Sequence, residues 1–422
     1  MSKIGTVRGM NDLPPKQVKI WIYAESIIRK VFDSYGYEEI RFPLIESTEL
    51  FVRSNESADI VTKEMYSFED KGGDSISLRP EGTAGCVRAA IDNDLLRIDN
   101  PRLWYNGPMF RYERPQKGRS RQFHQSSVEA FGIPSIDIDA EIILLSARLW
   151  KELEIDQAIY LEINNIGDEE VRKKYVESLI AFIEPIKDKL DEDSLKKFIK
   201  NPLRILDSKS KDIQDLLKDA PKINDFLDDS SKKEFQHLQE ILKASKIDFR
   251  VNSSLVRGLD YYNKTVFEWK TDTLGSQNTV CGGGRYDKLI EDLGGKPCPA
   301  VGFSIGMERL IAIIQSITPE LDNEDAYLDA YFICLGEDSK FQALMYSERI
   351  RDKFPNFYIK INMGQDGPKS QFKKADRSGA KYALILGEKE LEEGKITVKD
   401  LIERTEQITI EFEELLEILK TK

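Results

Sequence analysis

Histidine is nearly absent from this sequence: there are two, His124 and His237, in 422 residues. The four cysteines, Cys86, Cys281, Cys298 and Cys334, are scattered, and none forms a Cys-x-x-Cys pair. With so few nitrogen and sulfur ligands, neither a structural zinc site nor a disulfide framework is expected, and all four cysteines read as buried, reduced thiols. No apolar run reaches the ~18 residues that a membrane span requires. The first residues, Met1-Ser-Lys-Ile-Gly-Thr-Val-Arg, carry no apolar signal segment, which makes the cytoplasm the expected location. There is no internal repeat and no low-complexity tract.

What is present is enough chain for two or three domains, since a single core stops growing near ~250–300 residues. The net charge of −12 argues against nucleic-acid binding by the chain at large. The charge is uneven, however. Arg111, Arg114, Lys117, Arg119 and Arg121 crowd one segment against a single acid, Glu113. A second island holds Lys360, Lys369, Lys373, Lys374, Arg377 and Lys381 against Asp366 and Asp376. An acidic chain with two such islands can bind polyanions there and repel them elsewhere.

Apolar spacing predicts a helix over 17–35, stopped by Gly36, then an extended segment in which Pro43 is confined to an edge or terminal position. Two short strands are expected around Gly72-Gly73, a helix over 82–90, and strands over 102–113 and 122–131 that make the basic segment the tip of a long hairpin. A further amphipathic helix is expected over 139–153. From Gly167 to Phe249 glycine disappears and the pattern turns helical (171–182, 193–199, 213–217, 233–244), which reads as an insert within a β-rich domain. Strands resume at 248, 266–270 and 279–281. A helix over 305–316 and a linker over 318–326 lead to strand, helix, strand, helix and strand (330–335, 340–353, 358–361, 369–378, 382–387), the alternation of a compact α/β unit with a mixed or parallel sheet.

Four segments carry chemistry. In Phe110-Arg-Tyr-Glu-Arg-Pro-Gln-Lys-Gly-Arg-Ser-Arg-Gln-Phe-His-Gln, Arg111 on a strand can clamp a phosphate bidentately and Phe123 can offer a flat face to a base. A solvated charged loop is the alternative, although so many cations repel one another without an anion. Arg257-Gly-Leu-Asp-Tyr-Tyr reads either as donors beside a closely approaching ligand or as a turn capped by Asp260. Cys281-Gly-Gly-Gly-Arg-Tyr-Asp reads as a glycine-rich turn from strand to helix, without the ending of a phosphate loop, where something bulky packs on the backbone. Val301-Gly-Phe-Ser-Ile-Gly-Met-Glu-Arg places Arg309 in the first turns of a helix, where it is either a phosphate ligand or a buried structural arginine.

The order of these segments is more specific than any one of them. Pro43 after a helix, the hairpin at 110–125 and Gly-x-x-x-Gly-x-Glu-Arg at 302–309 resemble motifs 1, 2 and 3 of class II aminoacyl-tRNA synthetases. Leu78-Arg-Pro-Glu-Gly-Thr and Arg257-Gly-Leu-Asp-Tyr-Tyr narrow the resemblance to the histidyl-tRNA synthetase family. It extends through the tail Gly394-Lys-Ile-Thr-Val-Lys-Asp-Leu and so covers essentially the whole chain. The resemblance implies an α+β fold: an antiparallel class II catalytic domain flanked by helices over 1–325, with a helical insertion at 167–248, and an α/β anticodon-binding domain over 327–422.

By the same resemblance the substrates are ATP with Mg²⁺, L-histidine and tRNA(His), with no metal site of the protein's own. Arg111 and Arg257 act at the α-phosphate from opposite sides, the latter in place of a metal. Arg309 holds the γ-phosphate end and the adenine face, Phe123 stacks on adenine, and Arg119 also faces ATP. Glu81, Thr83 and Gln125 hold the α-amino group of histidine, Gly82 belongs to the same histidine site, Glu129 and Tyr262 contact the imidazole, and Tyr261 and Tyr286 line the pocket. Gln116, Lys117 and Arg119 face the tRNA acceptor end. Motif 1 implies a homodimer. Catalytically silent relatives that regulate histidine biosynthesis typically lack the anticodon unit or the Arg-Gly-Leu-Asp-Tyr-Tyr segment, and this chain keeps both.

Overall fold

The computed structural model describes residues 4–55, 58–116, 118–200, 202–208, 210–275, 278–319 and 328–420. The chain divides into two compact units, Met1–Pro319 and Glu320–Lys422. In the first, the strands in chain order are β1 (Glu38–Glu39), β2 (Ile45–Ser47), β3 (Tyr66–Glu69), β4 (Ser75–Leu78), β5 (Arg102–Phe110), β6 (Gln122–Phe131), β7 (Tyr160–Asn165), β8 (Phe249–Val251), β9 (Asn263–Lys270), β10 (Thr279–Arg285) and β11 (Ala300–Gly306). Eight of them form one sheet in the order β1-β5-β6-β11-β10-β9-β7-β8, and β2-β4-β3 form a small second sheet. The large sheet is antiparallel through its middle and parallel only in its outermost pairs, β1 with β5 and β7 with β8. The antiparallel core expected from the sequence is therefore present.

Amphipathic helices cover this sheet. The helix Pro15–Ser34 starts where Pro15 takes the first helical position, which needs no N–H, and buries Ile20, Trp21, Ala24, Ile28, Val31 and Phe32. The helix Asp137–Glu152 packs beside it and contributes Asp139, fully buried against Arg285 of β10. Burial pushes the Asp139 carboxyl up in spite of the guanidinium beside it. The pair fixes the far end of β10 through a charge that cannot be removed singly without orphaning its partner.

The structure revises four details of the sequence reading. The first hairpin strand ends at Phe110, so Arg111 begins the loop and does not sit on the strand. It is held there by donating from Nε to the Pro80 carbonyl, 2.8 Å away. The run Cys281–Arg285 is a central strand and not a turn. Its glycines serve close approach: a Cβ at Gly282 would lie 2.7 Å from the Arg257 guanidinium carbon. Likewise 300–306 is a strand, and the helix begins only at Met307, because the backbone of Gly302 must pair with Glu129 across the ladder. Cys86, Cys281 and Cys334 are buried free thiols, whereas Cys298 is only half-buried.

Between β7 and β8 the chain makes its helical excursion: Glu169–Ile183, Glu192–Lys200, Lys211–Leu216 and Asp229–Ala244, with short 3₁₀ turns between. Asp168 and Asp228 cap two of these helices by accepting from Val171 and Ser231 N–H. Residues of the excursion, Val171, Tyr175 and Leu179, share one apolar cluster with Tyr261, Tyr262 and Tyr286.

The second unit is a mixed five-stranded sheet. Its strands are β12 (Ala330–Cys334), β13 (Ile359–Ile361), β14 (Tyr382–Leu386), β15 (Lys395–Asp400) and β16 (Ile408–Glu411), in the order β13-β12-β14-β15-β16. The first three are mutually parallel and the last two antiparallel. The helices Glu337–Lys353 and Pro368–Arg377 follow the expected alternation. The linker expected over 318–326 lies largely outside the described residues. Among the described residues no helix is long and apolar enough to cross a membrane.

Candidate active site

A cleft of about 320 Å³ opens on the face of the large sheet where the β5–β6 hairpin meets β9, β10 and β11. Arginines from separate segments enter it. Arg111 stands over the Phe123 ring, 5.0 Å from its centroid. Arg119 pairs with Glu113. Arg309, from the helix Met307–Ile317, donates to the Gly118 carbonyl (3.2 Å) and the Thr279 carbonyl (2.6 Å). Burial first, and then the repulsion of Arg119 and Arg111, pull the Arg309 guanidinium below its ordinary value. Such a cation cluster is stabilised by an anion placed among it.

Arg257 enters from the loop before β9 and is fixed by an ion pair to Glu268. Burial works against its charge, but Glu268 outweighs it and holds Arg257 above the ordinary arginine range. Glu268 is itself shared with Lys270 at 3.2 Å and accepts from the Thr279 hydroxyl at 3.1 Å.

The other end of the cleft is lined by Glu81, Thr83, Gln125, Tyr261 and Tyr262. Glu81 is buried. Its two oxygens accept from Thr83 N–H (2.6 Å) and Ala84 N–H (2.9 Å) at the start of the helix Thr83–Asp92. Burial raises its carboxyl while these backbone bonds oppose the shift. The Gln125 side-chain oxygen is buried without a hydrogen-bond partner, an acceptor left open at the site.

Behind this lining sits Glu129, 1 % exposed, on β6. Its carboxylate accepts from the Thr83 hydroxyl (2.9 Å), the Tyr105 hydroxyl (3.0 Å) and the Tyr286 hydroxyl. A Cβ at Gly302 would occupy the place of its second oxygen, so glycine there makes room for the acid. Burial pushes Glu129 up to about 8 from an ordinary 4.5, against the three hydroxyl bonds, with Glu81 adding repulsion.

That shift has a stability consequence. The folded chain holds the Glu129 proton more tightly than the unfolded chain, so the contribution is complete below pH 4.5 and is lost as pH rises through 8. In thermal unfolding between pH 5 and pH 8.5, the protein should lose stability relative to its Glu129→Gln variant as the pH rises. Parallel curves would contradict this.

Of the residues singled out in the sequence, Glu81, Thr83, Arg111, Arg119, Phe123, Gln125, Arg257, Tyr261, Tyr262 and Arg309 line this one cleft. Gly82 lies one residue outside the lining and is pressed against the Tyr105 ring. Glu129 and Tyr286 form the layer behind, and Gln116 lines a neighbouring hollow with Gly118 and Arg309. Lys117 lies outside the described residues.

Sequence reasoning missed Tyr105, Glu113 and Glu268. Glu268 had a faint signal: with Lys270 it puts two charges at alternate positions among the apolar residues Val266, Phe267 and Trp269 of β9. The acids of the cleft are each engaged, Glu113 by Arg119, Glu268 by Arg257 and Lys270, and Glu308 by His124. Among the described residues no group of three or more His, Cys, Asp or Glu side chains is arranged to hold a metal.

Comparison with known proteins agrees with this geometry. Residues 9–310 match the family model described as histidyl-tRNA synthetase, and residues 329–422 match an anticodon-binding domain. A crystal structure of apo histidyl-tRNA synthetase from S. aureus is similar over 99 % of this chain and 100 % of its own, with 35 % identity and a TM-score of 0.82. Histidyl-tRNA synthetase from Nostoc sp. PCC 7120 shares the fold at 21 % identity, with 99 % of each chain covered and a TM-score of 0.68. So does a protein from Bacillus halodurans described as an ATP phosphoribosyltransferase regulatory subunit/histidyl-tRNA synthetase, at 19 % identity and a TM-score of 0.64, over 89 % of this chain and 97 % of its own.

Proposed function

This chain belongs to the histidyl-tRNA synthetase family, and on that premise we propose that it is an active histidine–tRNA ligase, joining L-histidine to ATP as histidyl-adenylate and then to tRNA(His). The observation that carries the reading is the convergence of Arg111, Arg119, Arg257 and Arg309 on one cleft whose other end is closed by Glu81, Gln125 and the tyrosines. Activation brings the histidine carboxylate onto the α-phosphate of ATP, joining two anions. Fixed cations must offset both reactants and the charge that grows between them. Arg111 and Arg257 take the α-phosphate from opposite sides. Arg309 and Phe123 hold the nucleotide, and the open acceptor on Gln125 together with Glu81 receives the α-ammonium.

The imidazole goes to Glu129 and Tyr262. A neutral imidazole has one donor and one acceptor nitrogen, so a site that serves both rejects apolar isosteres by ~10⁴–10⁵ without editing. The silent regulatory role described for some relatives needs no such cation set, which favours the ligase reading here. The test is histidine-dependent ATP–pyrophosphate exchange by the purified chain. No exchange with histidine, or equal exchange with other amino acids, would overturn it.

For tRNA, Gln116, Lys117 and Arg119 face the acceptor end, and the second unit reads the anticodon arm, with motif 1 forming a homodimer. Lys369, Lys373 and Arg377 are exposed on the helix Pro368–Arg377. If phosphates lie along it, log K for tRNA should fall linearly with log salt, by roughly 0.7–0.9 per phosphate neutralised. A filter-binding series between 50 and 300 mM salt measures that slope, and a flat line would refute the assignment.

A further inference from the structure

The segment 252–262 carries Arg257, Tyr261 and Tyr262 yet has no helix or strand of its own. Beyond the main-chain bonds of Asn252 and Leu255, its backbone is held by side chains from elsewhere. Asn164 of β7 donates to the Leu255 carbonyl at 3.0 Å, and Asn55 accepts from Asp260 N–H at 3.1 Å. The third hold comes from the helical excursion. Arg172, in the first turn of Glu169–Ile183, donates to the Tyr262 carbonyl at 2.7 Å and reaches the Asp260 carbonyl at 3.5 Å.

Arg172 is half-buried, and burial lowers its guanidinium value while Glu169, Asp260 and Asp168 nearby support its charge. A guanidinium turned onto two main-chain carbonyls makes charge-assisted bonds, roughly twice as strong as neutral ones. Next to it on the same helix, Val171, Tyr175 and Leu179 belong to the apolar cluster that includes Tyr261 and Tyr262. The helix thus backs the tyrosines with apolar side chains and grips their backbone with one cation.

We propose that Arg172 is a positioning residue through which the helical insertion holds Tyr261 and Tyr262 in the conformation that receives histidine. The inference rests on the ligase reading for what the pocket binds, but the brace itself does not. Arg257 has its own anchor in Glu268, so loss of the brace falls on histidine more than on the nucleotide.

Three proteins test it: the unsubstituted chain, Arg172→Met, which keeps the apolar stem, and Arg172→Lys, which restores one donor. In pyrophosphate exchange, Arg172→Met should raise KM for histidine at least 10-fold and leave KM for ATP within twofold, and Arg172→Lys should recover at least half of that loss on a logarithmic scale. By hydrogen exchange, amides of 258–262 should exchange at least 10-fold faster in Arg172→Met than in the unsubstituted chain, whether or not the chain proves to be a ligase. Unchanged exchange rates overturn the brace, as does a histidine KM within twofold of the original. Equal rises in both KM values, with no rescue by lysine, also overturn it in favour of general loss of structure. An unsubstituted chain without pyrophosphate exchange strikes the ligase reading, and the amide rates then decide the brace alone.

Discussion

Arg257→Ala is expected to lower histidine-dependent ATP–pyrophosphate exchange by at least ~10², the size typical of one preorganised donor to developing charge, while the fold survives. The geometry separates the two effects. Arg257 lies over Gly282 of β10, with Glu268 as its ion-pair partner, so its guanidinium is fixed before any ligand arrives. Removing it does not orphan Glu268, which keeps Lys270 at 3.2 Å and the Thr279 hydroxyl at 3.1 Å. The usual penalty for breaking a buried pair is thereby softened. Exchange kinetics with matched thermal unfolding would check both halves, and near-normal exchange would remove Arg257 from the chemistry. Arg257→Lys should rescue poorly, since an ammonium cannot reproduce the planar fork.

Glu129→Gln should cost on the order of 10³ in kcat/KM for histidine with KM for ATP little changed, because a site built to hydrogen-bond a substrate N–H leaves buried polar groups unmatched when that partner is altered. The amide fits the same space, and the hydroxyls of Thr83, Tyr105 and Tyr286 can rotate to meet it. The loss would therefore report recognition and not collapse. Steady-state exchange with each substrate varied in turn gives the split. A parallel rise in both KM values would place Glu129 in the scaffold alone.

The large elements of this fold were legible because periodicity follows burial. The helix Pro15–Ser34, the hairpin β5–β6 and the helices of the insertion all appear within a few residues of their expected bounds. Glycine misled the reading at 281–285, where a glycine cluster usually means a turn but here thins the centre of a sheet so that Arg257 can lie on it. At 300–306 Gly302 makes the same room for Glu129, within a strand that the sequence reading did not predict. Nothing local to those residues announces which neighbour will approach. Candidate residues that carried a motif were readable as neighbours in one cleft. Glu113, Tyr105 and Glu268, whose role is to hold another side chain, were not, because that role exists only once the whole sheet from β5 through β6, β11 and β10 to β9 has assembled.

The pairing of β7 with β8 has a consequence for how this chain could have been assembled. The two strands are parallel neighbours, Leu161 beside Phe249, so the chain must leave one end of the sheet and return at the other. No tight turn can do that, since a parallel pair needs a crossover of about a dozen residues or more. The helical insertion is that crossover. The strand pairing fixes neither its length nor its fold, but the insertion cannot be deleted down to a hairpin turn without unpairing β8. The loop that carries Arg257, Tyr261 and Tyr262 begins immediately after β8, so in any rearranged or minimised version of this protein the route to the cleft still runs through whatever stands in that place.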